Sequence, residues 1–351
     1  MRILYGTQGN GNGHLTRTLA IVPALRALGL DVDLIFSSQE SDGIRKGIPE
    51  LEPYRSFYGL PWVREAGRIN WLKTLEITRP AQLAADFRSL TGKYDLVITD
   101  FEPFAAWWGI ANGVPVIGIG NQYAFQGDVP RPRVKNPGGE LFIKYFAPVD
   151  VPIGIYLIRA TPTTVPPIVR PAVRAAAPTP GDHVLVYLPS FEIERLDALF
   201  GRDELKGYPF VCYPRRSPYE PHAGNVAVKG FSTEGFLEDL RTARAVITSG
   251  GFTLLSECLH LGKPIYVIPE ANQYEQLCNA EAVKKWRLGA TGREPDAKRI
   301  ATWLAGPPRV VQRRFPDVPP AFARWIAAGQ PGGAAALADE LWGEAAAGET
   351  S

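Results

Sequence analysis

Sulfur is scarce in this chain: 351 residues hold three cysteines and one methionine. Cys212, Cys258 and Cys278 have neither CxxC nor zinc-ligand spacing, so a thiolate metal centre and a redox pair are excluded. An odd, sparse count fits a reducing compartment, and a cytoplasmic protein is expected. An excess of one charge is also lacking. Lys and Arg number 38 against 36 Asp and Glu, a net +2, so nothing global points to nucleic acid. No apolar run reaches the roughly 20 residues of a membrane helix. The N-terminus enters a strand pattern at once, so no signal peptide is expected. There is no internal repeat. Pro (32) and Gly (35) are plentiful, but they punctuate periodic segments and form no low-complexity tract.

What is present is a globular balance, 45% hydrophobic and 21% charged, in a chain long enough for two domains. In the first half, strands are predicted at Ile3–Tyr5, Asp33–Phe36, Leu96–Thr99 and Val116–Gly118. Helices are predicted at Leu15–Leu28, Leu83–Leu90 and Phe104–Asn112. Apolar strands alternating with helices imply an α/β fold with a parallel, doubly wound sheet. Arg159–Asp182 is dense in proline and reads as a linker. Alternation then restarts, with strands at Val184–Leu188, Phe210–Tyr213, Val226–Lys229, Val246–Thr248 and Ile265–Ile268. Helices fall at Gly235–Ala243, Phe252–Leu261, Tyr274–Trp286 and Ala334–Trp342. The expected organisation is a domain over 1–160, a linker over 161–182, a second domain over 183–325 and a C-terminal helix over 326–351. Two Rossmann-like domains would face each other across a cleft.

The opening stretch, MRILYGTQGNGNGHLTR, is a strand followed by Gly6, Gly9, Gly11 and Gly13, then His14 and a helix. A dinucleotide fingerprint requires a third glycine where His14 stands, and an acid near Ser37 and Ser38. That reading fails at both points. Gly11, Asn12 and Gly13 instead leave room for the close approach of an acceptor. The positive end of a helix dipole disfavours imidazolium, and a neutral imidazole takes a proton from a hydroxyl. His14 is therefore a candidate base. Asp100 and Glu102 in VITDFEPF follow a strand, so either can stand behind it. A second turn, Ser249-Gly250-Gly251, precedes the helix that starts at Phe252. Helix N-termini after such turns hold anions, and the Walker lysine is missing. A plain strand-to-helix turn and a solvated Glu257 are the bland alternatives.

The segment SGGFTLLSECLHLGKPIYVIP, with QYEQLCNA after it, resembles the donor-binding segment of GT-B nucleotide-sugar glycosyltransferases. The similarity is to the lipid II-forming N-acetylglucosaminyltransferase and the UDP-glucuronosyl/glucosyltransferase groups. Their first loop also ends in Gly-His, as Gly13-His14 does. GNGHLTR with DFEP resembles an archaeal and bacterial branch of these transferases. The resemblance implies an inverting transfer of a hexosyl group from a UDP-sugar, with donor contacts from Ser190, Phe231, Ser249, Gly250, Gly251, Phe252 and Thr253. It gives the ribose diol to Glu257 and sugar hydroxyls to Glu275 and Gln276. Plant-type members have His where Ser249 stands and Asp where Glu275 stands, which leaves the sugar open.

Asp31 and Asp33 spell the Asp-x-Asp of metal-dependent transferases but lie at the start of a strand, the wrong rim for a ligand. No metal and no cofactor beyond the UDP-sugar is expected. The stretch Gly59–Pro80 interleaves Trp62 and Trp71 with Arg64, Arg68, Lys73 and Arg79. It reads as an insertion that either packs on the domain, meets the acceptor or touches an anionic membrane at its inner face. Trp107 and Trp108 read as core or cleft wall, and Arg215 and Arg216 as surface. Two other functions stay open: a nucleotide-sugar 2-epimerase, and an inactive nucleotide-sugar-binding protein. The acceptor is a lipid, a glycan or a small molecule.

Overall fold

The computed structural model describes residues 1–9, 12–37, 48–60, 64–65, 68–69, 71–132, 145–179, 181–214, 219–230, 232–307 and 309–349. The chain divides into two compact units. The first comprises Met1–Val129, Lys135–Ile168 and Phe315–Ser351, and the second Pro130–Val134 and Val169–Arg314.

In the first unit, β1 (Arg2–Gln8), α1 (Asn12–Ala27), β2 (Asp31–Ser37) and β3 (Tyr54–Phe57) come in order. A two-residue hairpin, β4 (Arg64–Glu65) and β5 (Arg68–Ile69), and the helices α2 (Trp71–Ile77) and α3 (Pro80–Ser89) follow. The hairpin and α2 lie within the insertion, and α3 follows it. The side chains of Trp62, Trp71, Arg64 and Arg68 lie outside the described residues. The unit continues with β6 (Leu96–Asp100), α4 (Pro103–Asn112), β7 (Val116–Gly120), α5 (Asn121–Ala124) and β8 (Val151–Gly154). All five pairings of this six-stranded sheet are parallel, in the order β3-β2-β1-β6-β7-β8. The order reverses between β1 and β6, and ligands of open α/β sheets sit at the carboxyl ends of the strands there. β6 and β7 are fully buried, as strands covered on both faces must be.

Gly6 lies within β1 rather than in the turn after it. A Cβ on Gly6 would meet the Ala105 Cβ at 2.5 Å, so its absence lets α4 rest directly on the strand. Trp108 is buried and donates from Nε1 to Leu90 O at 2.7 Å. Its neighbour Trp107 is instead 47% exposed, because it takes the outer side of α4.

The second unit begins with α6 (Pro171–Ala175), then β9 (Val184–Tyr187), α7 (Ile193–Phe200), β10 (Phe210–Cys212), β11 (Val226–Val228) and α8 (Thr233–Thr242). β12 (Ala245–Thr248), α9 (Phe252–Leu261), β13 (Ile265–Val267), α10 (Tyr274–Lys285), β14 (Ala290–Thr291) and α11 (Ala297–Ala305) complete it. The sheet is again parallel, in the order β11-β10-β9-β12-β13-β14, and its reversal falls between β9 and β12. The proline-dense stretch is well packed at several points. Val165, Ile168, Val169 and Val173 are buried, Val165 bridges Ile155, and α6 packs on α8 and α9.

The chain then returns to the first unit. α12 (Val318–Ala327) lies against α1, and α13 (Gly333–Glu349) is fixed by Trp342 Nε1, which donates to Thr164 O at 2.7 Å. Among the described residues, no helix is long and apolar enough to cross a membrane.

Candidate active site

The carboxyl end of β6 brings Asp100 to the switch point of the first sheet, with no exposed surface of its own. Helix α1 begins at Asn12, three residues earlier than periodicity predicts. Asn12 and Gly13 are therefore part of its first turn and not of an open loop. Gly11, and the side chain of Asn12, lie outside the described residues. His14 takes the third helical position. Its Nδ1 stands 2.9 Å from Asp100 Oδ1. Thr18 donates to His14 O at 2.9 Å and meets the Thr7 hydroxyl at 2.8 Å, which braces this turn on β1.

Arg17, one turn along α1, was not singled out from the sequence. Its Nε donates to Asp100 Oδ2 at 2.8 Å and its Nη2 to Asp100 Oδ1 at 2.7 Å. The same Nη2 is 2.8 Å from His14 Nδ1. Burial alone would raise the Asp100 carboxyl, but the Arg17 guanidinium and His14 beside it hold it below the ordinary carboxylate range. The arrangement is a histidine backed by an ionised acid, the acid being neutralised by a forked cation.

Glu102 does not stand behind His14. It is the N-cap of α4, where Oε1 accepts from Phe104 N at 2.8 Å and Oε2 from Ala105 N at 2.6 Å. Ser37 Oγ donates to it as well. Its oxygens are taken up by the N-terminus of α4 and by Ser37 at the end of β2, as expected of a buried capping acid. Burial pushes its carboxyl up to about 7, against the pull of those hydrogen bonds.

In the second unit, β12 runs into Ser249, Gly250 and Gly251 before α9. Gly250 has φ +86°, and a Cβ there would meet Val267 Cγ1 at 2.9 Å, so glycine is required. Gly251 is the N-cap of α9. No side chain caps it, and a Cβ at Gly251 would have nothing within 4 Å. First-turn N–H groups point out of a helix N-terminus, and the dipole favours an anion there. Thr253 is half-buried on this turn, Ser249 and Phe252 are buried, and Ser190 is exposed after β9, on the other side of the switch point. Asn279 of α10, also missed from the sequence, donates to Gly250 O at 2.9 Å and pins the turn.

Two of the residues expected to bind the donor have other partners. Glu257, 1% exposed, forms a double hydrogen bond with Arg170, at 2.5 Å to Nε and 2.8 Å to Nη2. Gln276 accepts from Glu270 N at 3.0 Å and donates to its carboxylate at 3.3 Å. Glu275 lies half-buried in the first turn of α10. Phe231, Arg215 and Arg216 lie outside the described residues. Asp33 faces Arg55 Nη2 at 2.9 Å and the Tyr94 hydroxyl, and Asp31 pairs with Arg2 at the amino end of β2. Among the described residues, no three His, Cys, Asp or Glu side chains converge as a metal site would require. The cysteines are free and buried.

Comparison with known proteins gives concordant matches. A stretch of 70 residues is 41% identical to an uncharacterized glycosyltransferase of Methanopyrus kandleri, and spans 19% of this chain and 20% of that protein. Three solved structures share the two-sheet GT-B fold. SnogD, a glycosyltransferase of Streptomyces nogalater, is 18% identical over 93% of this chain and 99% of its own, with a TM-score of 0.53. UGT2 of Phytolacca americana, complexed with UDP-2-fluoro-glucose and pterostilbene, is 13% identical over 99% and 98%, with a TM-score of 0.64. SsfS6 of Streptomyces sp. SF2575, complexed with thymidine diphosphate, is 17% identical over 99% and 96%, with a TM-score of 0.53. Residues 1–308 match glycosyl transferase family 1, and the chain belongs to that family.

Proposed function

We propose that the protein moves a hexosyl group from a UDP-sugar to an acceptor hydroxyl with inversion at the anomeric carbon. The observation that carries this reading is the His14–Asp100 contact at the switch point of the first sheet. With the Nδ1 proton directed at Asp100, Nε2 is the acceptor. It takes the hydroxyl proton while the acceptor oxygen bonds to the anomeric carbon. The bond from that carbon to the diphosphate breaks on the opposite face, and UDP leaves with the electron pair. Asp100 balances the imidazolium that results.

The open first turn of α9 and the Thr253 hydroxyl would stabilise the departing diphosphate, the task a divalent cation performs in other transferases. Support for a metal-independent reaction comes from the Asp-x-Asp decoy: Asp33 is tied to Arg55 and Tyr94 at the wrong rim of the sheet. The resemblance of the donor segment supports uridine, and a UDP-sugar is the ligand bound to the plant UGT2. The thymidine diphosphate bound to SsfS6 makes dTDP the competitor to test. For Glu257 to read a ribose diol, it must share its oxygens with Arg170 or exchange them. The acceptor is a lipid, a glycan or a small molecule, and work at the inner face of a membrane is part of the proposal for a lipid.

The test is a calorimetric screen of UDP-, dTDP- and GDP-sugars, followed by a search for the glycosylated product in lipid extracts and acceptor panels. His14→Ala is expected to keep donor binding and lose transfer by roughly 100- to 10,000-fold. Near-normal transfer by that variant would remove the base assignment. Conversion of UDP-sugar alone, with no acceptor, would replace the transferase by an epimerase.

A further inference from the structure

We propose that Arg17 is a positioning residue that keeps the His14 proton on Nδ1, by holding Asp100 as a purely accepting carboxylate. The inference rests on the reading of His14 as the base, and it names the group that sets the state of that base.

His14 Nδ1 has two close polar neighbours of opposite kind. Asp100 Oδ1, at 2.9 Å, only accepts while it is ionised. Arg17 Nη2, at 2.8 Å, only donates. The two therefore select different tautomers. With the proton on Nδ1, the ring donates to Asp100 and Nε2 is bare, which is the form a base requires. With Nδ1 bare, the ring accepts from Arg17 and Nε2 carries the proton, which blocks the base. Nη2 has a hydrogen for each neighbour, so the balance is set by the relative strength of its contacts to Asp100 and to Nδ1. Arg17 Nε and Nη2 both reach Asp100, one to each oxygen, at 2.8 and 2.7 Å. A fork on a carboxylate is stronger than a contact to a neutral imidazole. Arg17 thus belongs to Asp100 first, and Asp100 is left to accept from His14.

The surroundings make this hold necessary. Asp100 is fully buried. The titratable groups facing it are His14 and Arg17 from α1, Tyr5 from β1 and Tyr123 from α5. Backbone closes a further side, since a Cβ at Gly120 would lie 3.1 Å from Asp100 Oδ1. Arg17 is the one permanent cation in this set. Without it, burial raises the Asp100 carboxyl with only His14 to oppose it, and an Asp100 that takes up a proton becomes a donor to Nδ1 and sends the histidine proton to Nε2. Loss of Arg17 therefore acts on the ring through the acid.

The test reads the tautomer directly. The chain has four histidines, so 15N-histidine NMR resolves His14 against His14→Gln. Wild type is expected to show Nδ1–H with bare Nε2, and Arg17→Gln to show Nε2–H. In transfer assays, Arg17→Gln is expected to lower kcat roughly 100-fold with donor KM unchanged. The acid limb of its kcat–pH profile is expected to move upward, because Asp100 now takes its proton at higher pH. Arg17→Lys, which keeps the charge but loses the fork, is expected to show a mixture of tautomers and intermediate kcat. A folded Arg17→Gln with the wild-type tautomer and the wild-type pH profile would overturn the proposal. If the Gln variant does not fold, the Lys variant decides: mixed tautomers support it and a wild-type spectrum overturns it. Failure of the transferase reading is seen separately, as sugar transfer that survives His14→Ala, and leaves the tautomer measurement intact.

Discussion

β1–α1 and β12–α9 are the same device built twice: a buried strand, a glycine-bearing turn and a helix at the point where strand order reverses. They carry opposite chemistry. In the first, the helix start is occupied by side chains, and His14, Arg17 and Asp100 interlock below the surface. In the second, the helix start is bare. Gly250 turns the chain, Gly251 caps without a side chain, and Asn279 holds the turn from behind. A strand–turn–helix offers an N-terminal dipole in either case. In the function proposed above, side chains in the first turn make it a seat for a proton acceptor, and their absence makes it a seat for an anion.

Asp100→Asn breaks the first device most severely. The amide keeps the shape but cannot accept two bonds from Arg17 and one from His14, and kcat is expected to fall roughly 100- to 10,000-fold. Donor titration should be unchanged, because the proposed diphosphate seat belongs to the other unit. Arg170→Met is the matching break in the second unit. It leaves Glu257 charged and 1% exposed without its cation, at a cost of about 3 kcal/mol, read as weakened hydrogen-exchange protection confined to α9 and its neighbours.

Glu102→Gln sharpens the contrast between two acids two residues apart. The folded Glu102 carboxyl is raised to about 7, so folding favours its protonated form, and this contribution is lost as pH rises from the unfolded value toward 7. The folded Asp100 carboxyl is depressed, so its contribution is present above the unfolded value and lost as pH falls through the folded one. Denaturant titrations from roughly pH 5 to 8 should therefore show wild type losing about 2–3 kcal/mol relative to Glu102→Gln. The smallest effect is Gly250→Ala. A positive φ and the approach to Val267 should cost about 1–2 kcal/mol and weaken donor binding by calorimetry, with the His14 tautomer untouched.

Much of this was legible in the sequence because local signals were strong. The helix Phe252–Leu261 coincides with its predicted span, since Gly251 and the left-handed Gly262 close it at both ends. Central strands declared themselves by apolar runs. The edge strands β3 and β8 did not: YRSF is half polar, and VPIG carries a proline that only an edge tolerates. At the site, the order of the sheet decided between Asp100 and Glu102. Parallel register puts Thr7 beside Asp100, on the face that α1 covers through Thr18, whereas Glu102 turns back to cap α4. Arg17 and Arg170 left no usable trace, because their partners lie 83 and 87 residues away and no spacing rule reaches that far.

The return of the chain to the first unit bears on its order of assembly. α1 needs α12 against it, and Thr164 needs Trp342, so the unit that begins the chain also ends it. During synthesis the second unit has all its residues once Arg314 has emerged, while the first still lacks a flank. The half that holds His14 is made first and finished last. Until α12 arrives, the side of α1 that it covers is a surface for a chaperone to bind.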